Sequence, residues 1–489
     1  MEKLRQKIIQ FINSPKDAPV IAAFVIGFYL LTYYYSKNFS LANSWIQLLF
    51  FSAYYIIIPL FILFTGYSVF ARVAKGKFKK HFLFISIPVL FSFYILQLSW
   101  LGEWKRPIFA AVIIIFGLLT LKWARFYKVF VLLIAFMSLF NLIPILQVGY
   151  IVATSSDSWK EQPDNIEHAV FKHKPNIYYI QPDGYASFAN LQDNNYNFDN
   201  SAFEGFLKEN GFTLYNDFRS NYFSTLLSNS SMFSMKHHYI PEDINTYAAR
   251  EVIVGENAVI KTLKNNGYRT HFITDRPYMV MNRPKLGYDY CNIEYSSIPF
   301  IKDGWEDVRN VGADFKDAFE PEKGRNFYFI ERMLPSHICS LEVYSLGAEE
   351  ERKSYLQRLQ EANEWLRNEI KFITAKDPQG IIIIAADHGG FVGFEYTLQS
   401  EYNVDNPVLV KSVFGAMAAI KWNNPEHTAY DGQLKTSVNL FRTVFSYLAE
   451  DKKYLDNLQK DDSYIKMLKP SGLYKRIDDN GKVVMEKRG

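Results

Sequence analysis

A chain of 489 residues with a net charge of +4 is long enough for more than one domain. The charge is divided unevenly: residues 1–150 hold fifteen Lys and Arg against three Asp and Glu, a charge of +12, which leaves −8 for the rest. The basic balance therefore belongs to one apolar segment rather than to a patch on a folded domain, and nucleic-acid binding finds no support.

In chain order, five stretches come first. They lie near 18–35, 46–70, 82–101, 107–122 and 129–150, and each is apolar and long enough to cross a bilayer as a helix. Trp45, Trp100, Trp104, Trp123 and Tyr150 stand at or near their ends, where amphipathic rings prefer the interface. The first stretch has no small-residue cleavage pattern and four more follow it, so it reads as retained. Lys3, Arg5, Lys7 and Lys16 precede it; Arg72, Lys75, Lys77, Lys79 and Lys80 fill the second connection, and Lys122, Arg125 and Lys128 the fourth. The first and third connections are poor in basic residues. This asymmetry predicts a multi-pass protein of the cytoplasmic (inner) membrane with its N-terminus in the cytoplasm and residues from 151 onward outside, in the periplasm or its equivalent.

The expected organisation is a transmembrane domain over 1–150, a polar linker over 151–172, and an outer domain over 173–489. The outer domain alternates short apolar runs with helix-like stretches. Strands are predicted at 176–181, 268–273, 326–330, 381–385 and 413–420, and helices at 201–210, 225–235, 257–266, 348–374 and 435–449. Continuous apolar strands separated by helices predict an α/β domain with a mostly parallel sheet between helices. In such sheets functional groups collect beyond the carboxyl ends of the strands. Cys291 and Cys339 would lie in an oxidising space, and the sequence leaves a disulfide between them open.

Three strand ends bear unusual polar residues. Asp183 follows the first strand in NIYYIQPDG, His337 follows NFYFIERMLPSH, and Asp387 and His388 end IIIIAADHGG. An Asp before Gly is also an ordinary turn residue, and a single His after a strand is also an ordinary loop residue. Asp387-His388-Gly389-Gly390 is harder to explain as a turn, because charge, imidazole and flexible backbone coincide at the end of a buried strand. Two carboxylates and an imidazole suit one divalent cation, Zn²⁺ or Mn²⁺. The segment RSNYFSTLLSNSSMFSM, 219–235, supplies a hydroxyl cluster at a helix start. Backbone N–H groups there favour an anion, and a hydroxyl beside a cation is easier to deprotonate. The same cluster is equally readable as a Ser-rich N-cap.

Taken together, PNIYYIQPDGYAS, SNYFSTLLSNSSM, GENAVIKTLKNNGYRTHFI, FYFIERMLPSH, IIIIAADHGG and SVNLFRTVFSYL resemble, in order, the alkaline phosphatase/sulfatase superfamily. The whole chain resembles its membrane-anchored branch of lipoteichoic acid synthases and lipid A phosphoethanolamine transferases. The resemblance implies a metal held by Asp183, Thr225, Asp387 and His388, with Thr225 as nucleophile and Ser224 as its rival. It implies that His337 contacts the phosphoryl oxygens or protonates a leaving alkoxide, with Asn221, His337 and His238 binding substrate; His237 and His238 are also weighed as further ligands. It implies a membrane phospholipid donor, a glycan or lipid acceptor, and a phosphoethanolamine- or phosphoglycerol-type group passed through a phospho-threonine. An extracytoplasmic phosphodiesterase or phosphatase with the same metal and nucleophile is the alternative, and a glycan-binding domain on a membrane scaffold is a third reading. The pattern also departs from the superfamily. No Cys-x-Pro-x-Arg is present, which excludes a formylglycine sulfatase; Pro335-Ser336-His337-Ile338-Cys339 replaces Pro-His-x-Pro-Phe; and Gly184 follows Asp183 where a two-metal site would have a second carboxylate.

Overall fold

A computed structural model of the protein describes residues 2–99, 106–238, 248–301, 304–321 and 324–488; Trp100 and Trp104 fall outside them. The chain divides into two units. One is Met1–Thr154 with Met281–Arg283 and Ile298–Gly304; the other is Ser155–Val280, Pro284–Ser297 and Trp305–Gly489.

Among the described residues of the first unit, four helical runs are long and apolar enough to cross a membrane: Pro19–Leu41, Trp45–Arg72, Lys79–Leu98 and Arg106–Thr154. Five were expected. The difference lies in the last run of 49 residues, which holds the fourth and fifth expected segments on either side of a 3-10 turn at Ala124–Phe126. Large apolar side chains point outward, Leu49, Phe61, Leu121 and Leu146 among them, which reverses the arrangement of a water-soluble helix bundle. The interior instead holds aromatic rings, with Tyr54 and Tyr94 edge-to-face at 5.1 Å, and the buried Asp17 carboxylate pairs with the partly exposed Lys79 at 3.1 Å.

The second unit begins earlier than the composition implies. The stretch 151–172, expected as a linker, joins it from Ser155, because Trp159, Ile166 and Phe171 are buried in it. Asp164 accepts from the fully buried Arg442 at 2.7 Å. Single anchors of this kind leave no apolar period to read.

The core of this unit is a seven-stranded sheet in the order β2-β7-β6-β1-β5-β3-β4. The strands are β1 (Ile177–Pro182), β2 (Phe212–Leu214), β3 (Arg269–Thr274), β4 (Tyr290–Cys291), β5 (Asn326–Arg332), β6 (Ile381–Ala385) and β7 (Ala418–Lys421). β1 pairs in parallel with β5 and β6, and β3 with β4 and β5, while β7 runs antiparallel to both β6 and β2. Every residue of β1 and β6 is buried, as continuous apolar runs require when helices cover both faces. The strand expected over 413–420 starts as a helix, Pro407–Phe414, with Asn406 capping the Val408 N–H and Pro407 in the first turn. An apolar run of that length does not distinguish a buried helix from a strand. A second sheet of β8 (Ser463–Met467), β9 (Gly472–Ile477) and β10 (Val483–Arg488) is antiparallel and was not expected. Cys291 and Cys339 are both free thiols, so no disulfide links them.

Candidate metal centre

β1 and β6 are neighbours in register, Ile180 opposite Ile384, so the residues that follow them emerge at the same edge of the sheet. From β1 comes Asp183, from β6 come Asp387 and His388, and all three are 1% exposed. One ligand atom from each lies within 4.8 Å of the others. Thr225 closes the group as the first residue of the helix Thr225–Ser234, with Ser224 as N-cap. Its Oγ1 donates to Asp183 Oδ1 at 3.1 Å and lies 3.2 Å from His388 Nε2. The hydroxyl in the cluster is thus that of Thr225 rather than Ser224.

The backbone around these groups is forced. Gly184 has φ +66°, and a Cβ there would come within 2.6 Å of the Ser336 carbonyl carbon. Its N–H donates to Asp387 Oδ1 at 3.1 Å, tying the β1 and β6 loops together. At Gly389 a Cβ would meet the Ser412 carbonyl oxygen at 2.2 Å, so the turn after His388 packs directly on the chain before β7. Only glycine fits these close approaches.

The donor set fits one divalent cation. His388 Nδ1 lies 2.8 Å from the Gly389 carbonyl oxygen, which assigns the proton to Nδ1 and leaves Nε2 a lone pair toward Asp183 and Asp387. Asp387 Oδ2 is buried with no hydrogen-bond partner among the described residues, and the nearest potential counter-charge is His388 Nε2 at 3.4 Å. An orphaned carboxylate oxygen beside a second buried carboxylate is unfavourable without a counter-charge. Burial pushes the Asp387 carboxyl above its usual range, with His388 pulling it back; burial depresses His388, and Asp387 and Asp183 together outweigh that and raise it.

His337 stands beside this cluster, its ring centroid 5.8 Å from that of His388. Its Nδ1 lies 2.6 Å from the Ile338 carbonyl oxygen, and burial, then the neighbouring His388, lowers its pKa. The helix Ala348–Lys376 holds the two flanking loops from one face. Tyr355 donates to the Gly184 carbonyl at 2.9 Å and accepts from the Ala186 N–H at 3.0 Å. One turn on, Arg358 donates to the carbonyls of Pro335 at 2.7 Å and His337 at 3.0 Å. Such (i, i+3) spacing puts both side chains on the same helical face.

Two of the expected substrate-binding residues are elsewhere. Asn221 is fully buried, donating to the Asp462 carbonyl and accepting from Ser437 and the Val438 N–H. His238 packs against Tyr222 and Trp159 and meets Ser230 and the Leu227 carbonyl, while His237 meets Tyr222 and the Lys460 carbonyl. Neither histidine is on a helix: Met235 turns left-handed, φ 50°, and ends it. Burial lowers His238 to about 3, the mark of a neutral core histidine. Conversely, Asp275 and Glu331 were not singled out. Asp275 follows β3 as Asp183 follows β1, a signal available in the sequence. Burial pushes Asp275 up to about 6 and Glu331 well above the carboxylate range, with Asp275 the second cause for Glu331; Thr274 donates to Glu331.

No family model and no curated protein matches the chain. Solved structures do. An integral-membrane lipooligosaccharide phosphoethanolamine transferase from Neisseria meningitidis is 13% identical over 88% of this chain and 95% of its own, with a TM-score of 0.41. The C-terminal periplasmic domain of EcEptC from Escherichia coli is 12% identical over 60% of this chain and 90% of its own, with a TM-score of 0.41. A lipoteichoic acid synthase from Listeria monocytogenes is 13% identical over 65% of this chain and 90% of its own, with a TM-score of 0.42. At these identities and scores the chemistry has to be judged on the chain's own residues.

Proposed function

We propose that the protein is a membrane-anchored phosphotransferase of the outer face of the cytoplasmic membrane, with five crossings and Thr225 as its nucleophile. One observation supports this above the others: a threonine hydroxyl at a helix N-terminus, hydrogen bonded to a buried carboxylate and within reach of a buried imidazole.

Asp183, Thr225, Asp387 and His388 would hold one divalent cation, Zn²⁺ or Mn²⁺. Bound there, it would make the Thr225 hydroxyl more acidic and offset charge on the phosphoryl oxygens. Thr225 Oγ1, its proton given up to solvent, attacks the phosphorus of a membrane phospholipid, the bond from phosphorus to the lipid alcohol breaks, and the phosphorylated head group remains on Thr225. The backbone N–H groups at the start of its helix face the phosphoryl oxygens. His337 donates a proton to the departing alkoxide and later takes one from the incoming acceptor hydroxyl, whose oxygen displaces Thr225. Phosphoethanolamine and phosphoglycerol are the candidate groups, and a glycan or lipid is the acceptor. A membrane anchor raises the effective concentration of a lipid donor.

Intact-mass measurement of the purified full chain after incubation with donor lipid tests this, because the added mass names the group. An adduct on Thr225 is expected; undiminished transfer of a labelled head group by membranes containing Thr225→Ala would overturn the reading.

A further inference from the structure

A second recess lies at the same edge of the sheet as the metal centre. Leu214 of β2 and Ile384 of β6 both pair with Ala419 of β7, so β2 ends level with β6. The chain leaving β2 therefore emerges where Asp387 emerges, two strands away, and the Tyr215 N–H still donates to the Ala418 carbonyl at 3.0 Å. Residues 215–219, the helix Pro407–Phe414 and the β9–β10 turn enclose a cavity of about 690 Å³. Only one backbone layer separates it from the metal ligands: Gly415 lines the cavity, and its carbonyl oxygen would lie 2.8 Å from a Cβ on Gly389, the residue after His388.

The lining mixes donors and acceptors. Asp217, Asn216 and Asn480 are exposed on it, as are Lys411 and Lys435. Between these stand the apolar Phe218, Val408 and Ile477. Arg219 is 8% exposed and lines the same cavity; its guanidinium donates through Nη2 to the carbonyls of Asp461 and Asp478, and its Nε has no partner among the described residues. Carboxylates of Asp461, Asp478 and Asp479 near this guanidinium offset its charge, so the recess is not set up for a strongly charged ligand. Its volume is that of a ligand site. Balanced acids, amides and ammonium groups around apolar patches match a sugar ring, whose hydroxyls both donate and accept around an apolar C–H face.

We propose that this cavity is the acceptor subsite: it holds a neutral, hydroxyl-rich saccharide whose next residue reaches Thr225 along the strand ends. The inference rests on the transferase reading and narrows its acceptor to a glycan.

The test uses the full chain in detergent on an array of hexose, heptose and N-acetylhexosamine oligosaccharides, with inorganic phosphate as competitor. Expected is saccharide binding that survives chelation, excess phosphate and Thr225→Ala, and that weakens at least about tenfold in the double variant Asp217→Ala, Lys435→Ala, which removes two charge-assisted hydrogen bonds from the surface. The same double variant should raise the acceptor KM while kcat at saturating saccharide falls little. Absence of binding to the whole array overturns the proposal, as does binding that vanishes with Thr225→Ala or chelation but persists in the double variant. Saccharide binding without any adduct on Thr225 would instead count against the transferase reading alone.

Discussion

Thr225 Oγ1 lies 3.2 Å from His388 Nε2, two atoms separated by 163 residues of sequence and brought together at the sheet edge. Thr225→Ser keeps an oxygen at that place and should retain measurable head-group transfer, while Thr225→Ala should reduce it by at least about a hundredfold, the scale of losing a nucleophile or an essential proton partner. Both are checked with radiolabelled donor lipid in membranes of matched protein content. A Ser224→Ala variant, which removes the N-cap hydroxyl and not the nucleophile, should transfer near the wild-type rate.

Metal removal gives a second expectation. Chelation should abolish transfer, Zn²⁺ or Mn²⁺ should restore it, and Asp387→Asn should not be restored. A cation that binds only the folded state at 100 times its dissociation constant adds about 2.7 kcal/mol of stability, visible as a rise in Tm that Asp387→Asn lacks. Burial raises the Asp387 carboxyl, so protons compete with the cation, and affinity measured by titration calorimetry should weaken as pH falls.

Gly184 decides whether the Asp183 loop fits beneath the His337 loop. Gly184→Ala would place a methyl group 2.6 Å from the Ser336 backbone at a left-handed φ, so one loop must move. The expected cost is about 1–3 kcal/mol of stability, read by denaturant unfolding, with a fall in kcat larger than any change in donor KM.

Asp275 offers a pH test with a defined sign. Its folded pKa is about 6, pushed up by burial, against about 3.9 unfolded. Between those values the folded state holds more protons than the unfolded state, so the group costs stability as pH rises from about 4 to 6. Asp275→Asn removes this term while its amide oxygen can still accept from the Met333 N–H. Metal-free variant and wild type should therefore differ little at pH 4, and at pH 7 the variant should be more stable by at most about 3 kcal/mol. Equal pH dependence of the two proteins, followed by urea unfolding, would remove Asp275 from the set of strained acids.

Much of the framework is legible without coordinates. Strands β1, β3, β5 and β6 lie within a residue or two of their expected places, because continuous apolar runs bounded by polar residues admit few alternatives. β7 was misplaced because an apolar run led by Asn406-Pro407 suits a helix first and a strand second. The C-terminal sheet was not seen because charged residues interrupt its strands, SYIKM, GLYKRI and VVMEKR, and leave no continuous apolar run. Asn221 and His238 were expected to bind substrate from the resemblance, which carries no packing information. Both turn inward, where each finds hydrogen-bond partners in the protein interior.

The sequence by itself determined that an apolar basic segment precedes an acidic α/β domain, and that Asp183, Asp387, His388 and a hydroxyl-rich helix start stand at strand and helix ends. Period and composition are local quantities, and these are local facts. Tertiary structure alone decided that Thr225 rather than Ser224 faces the acids, that Tyr355 and Arg358 fix the loops around them, and that a polar recess adjoins them past Gly415. Those outcomes depend on which strands are neighbours and in what register, a pairing between residues far apart in the chain that no local pattern encodes.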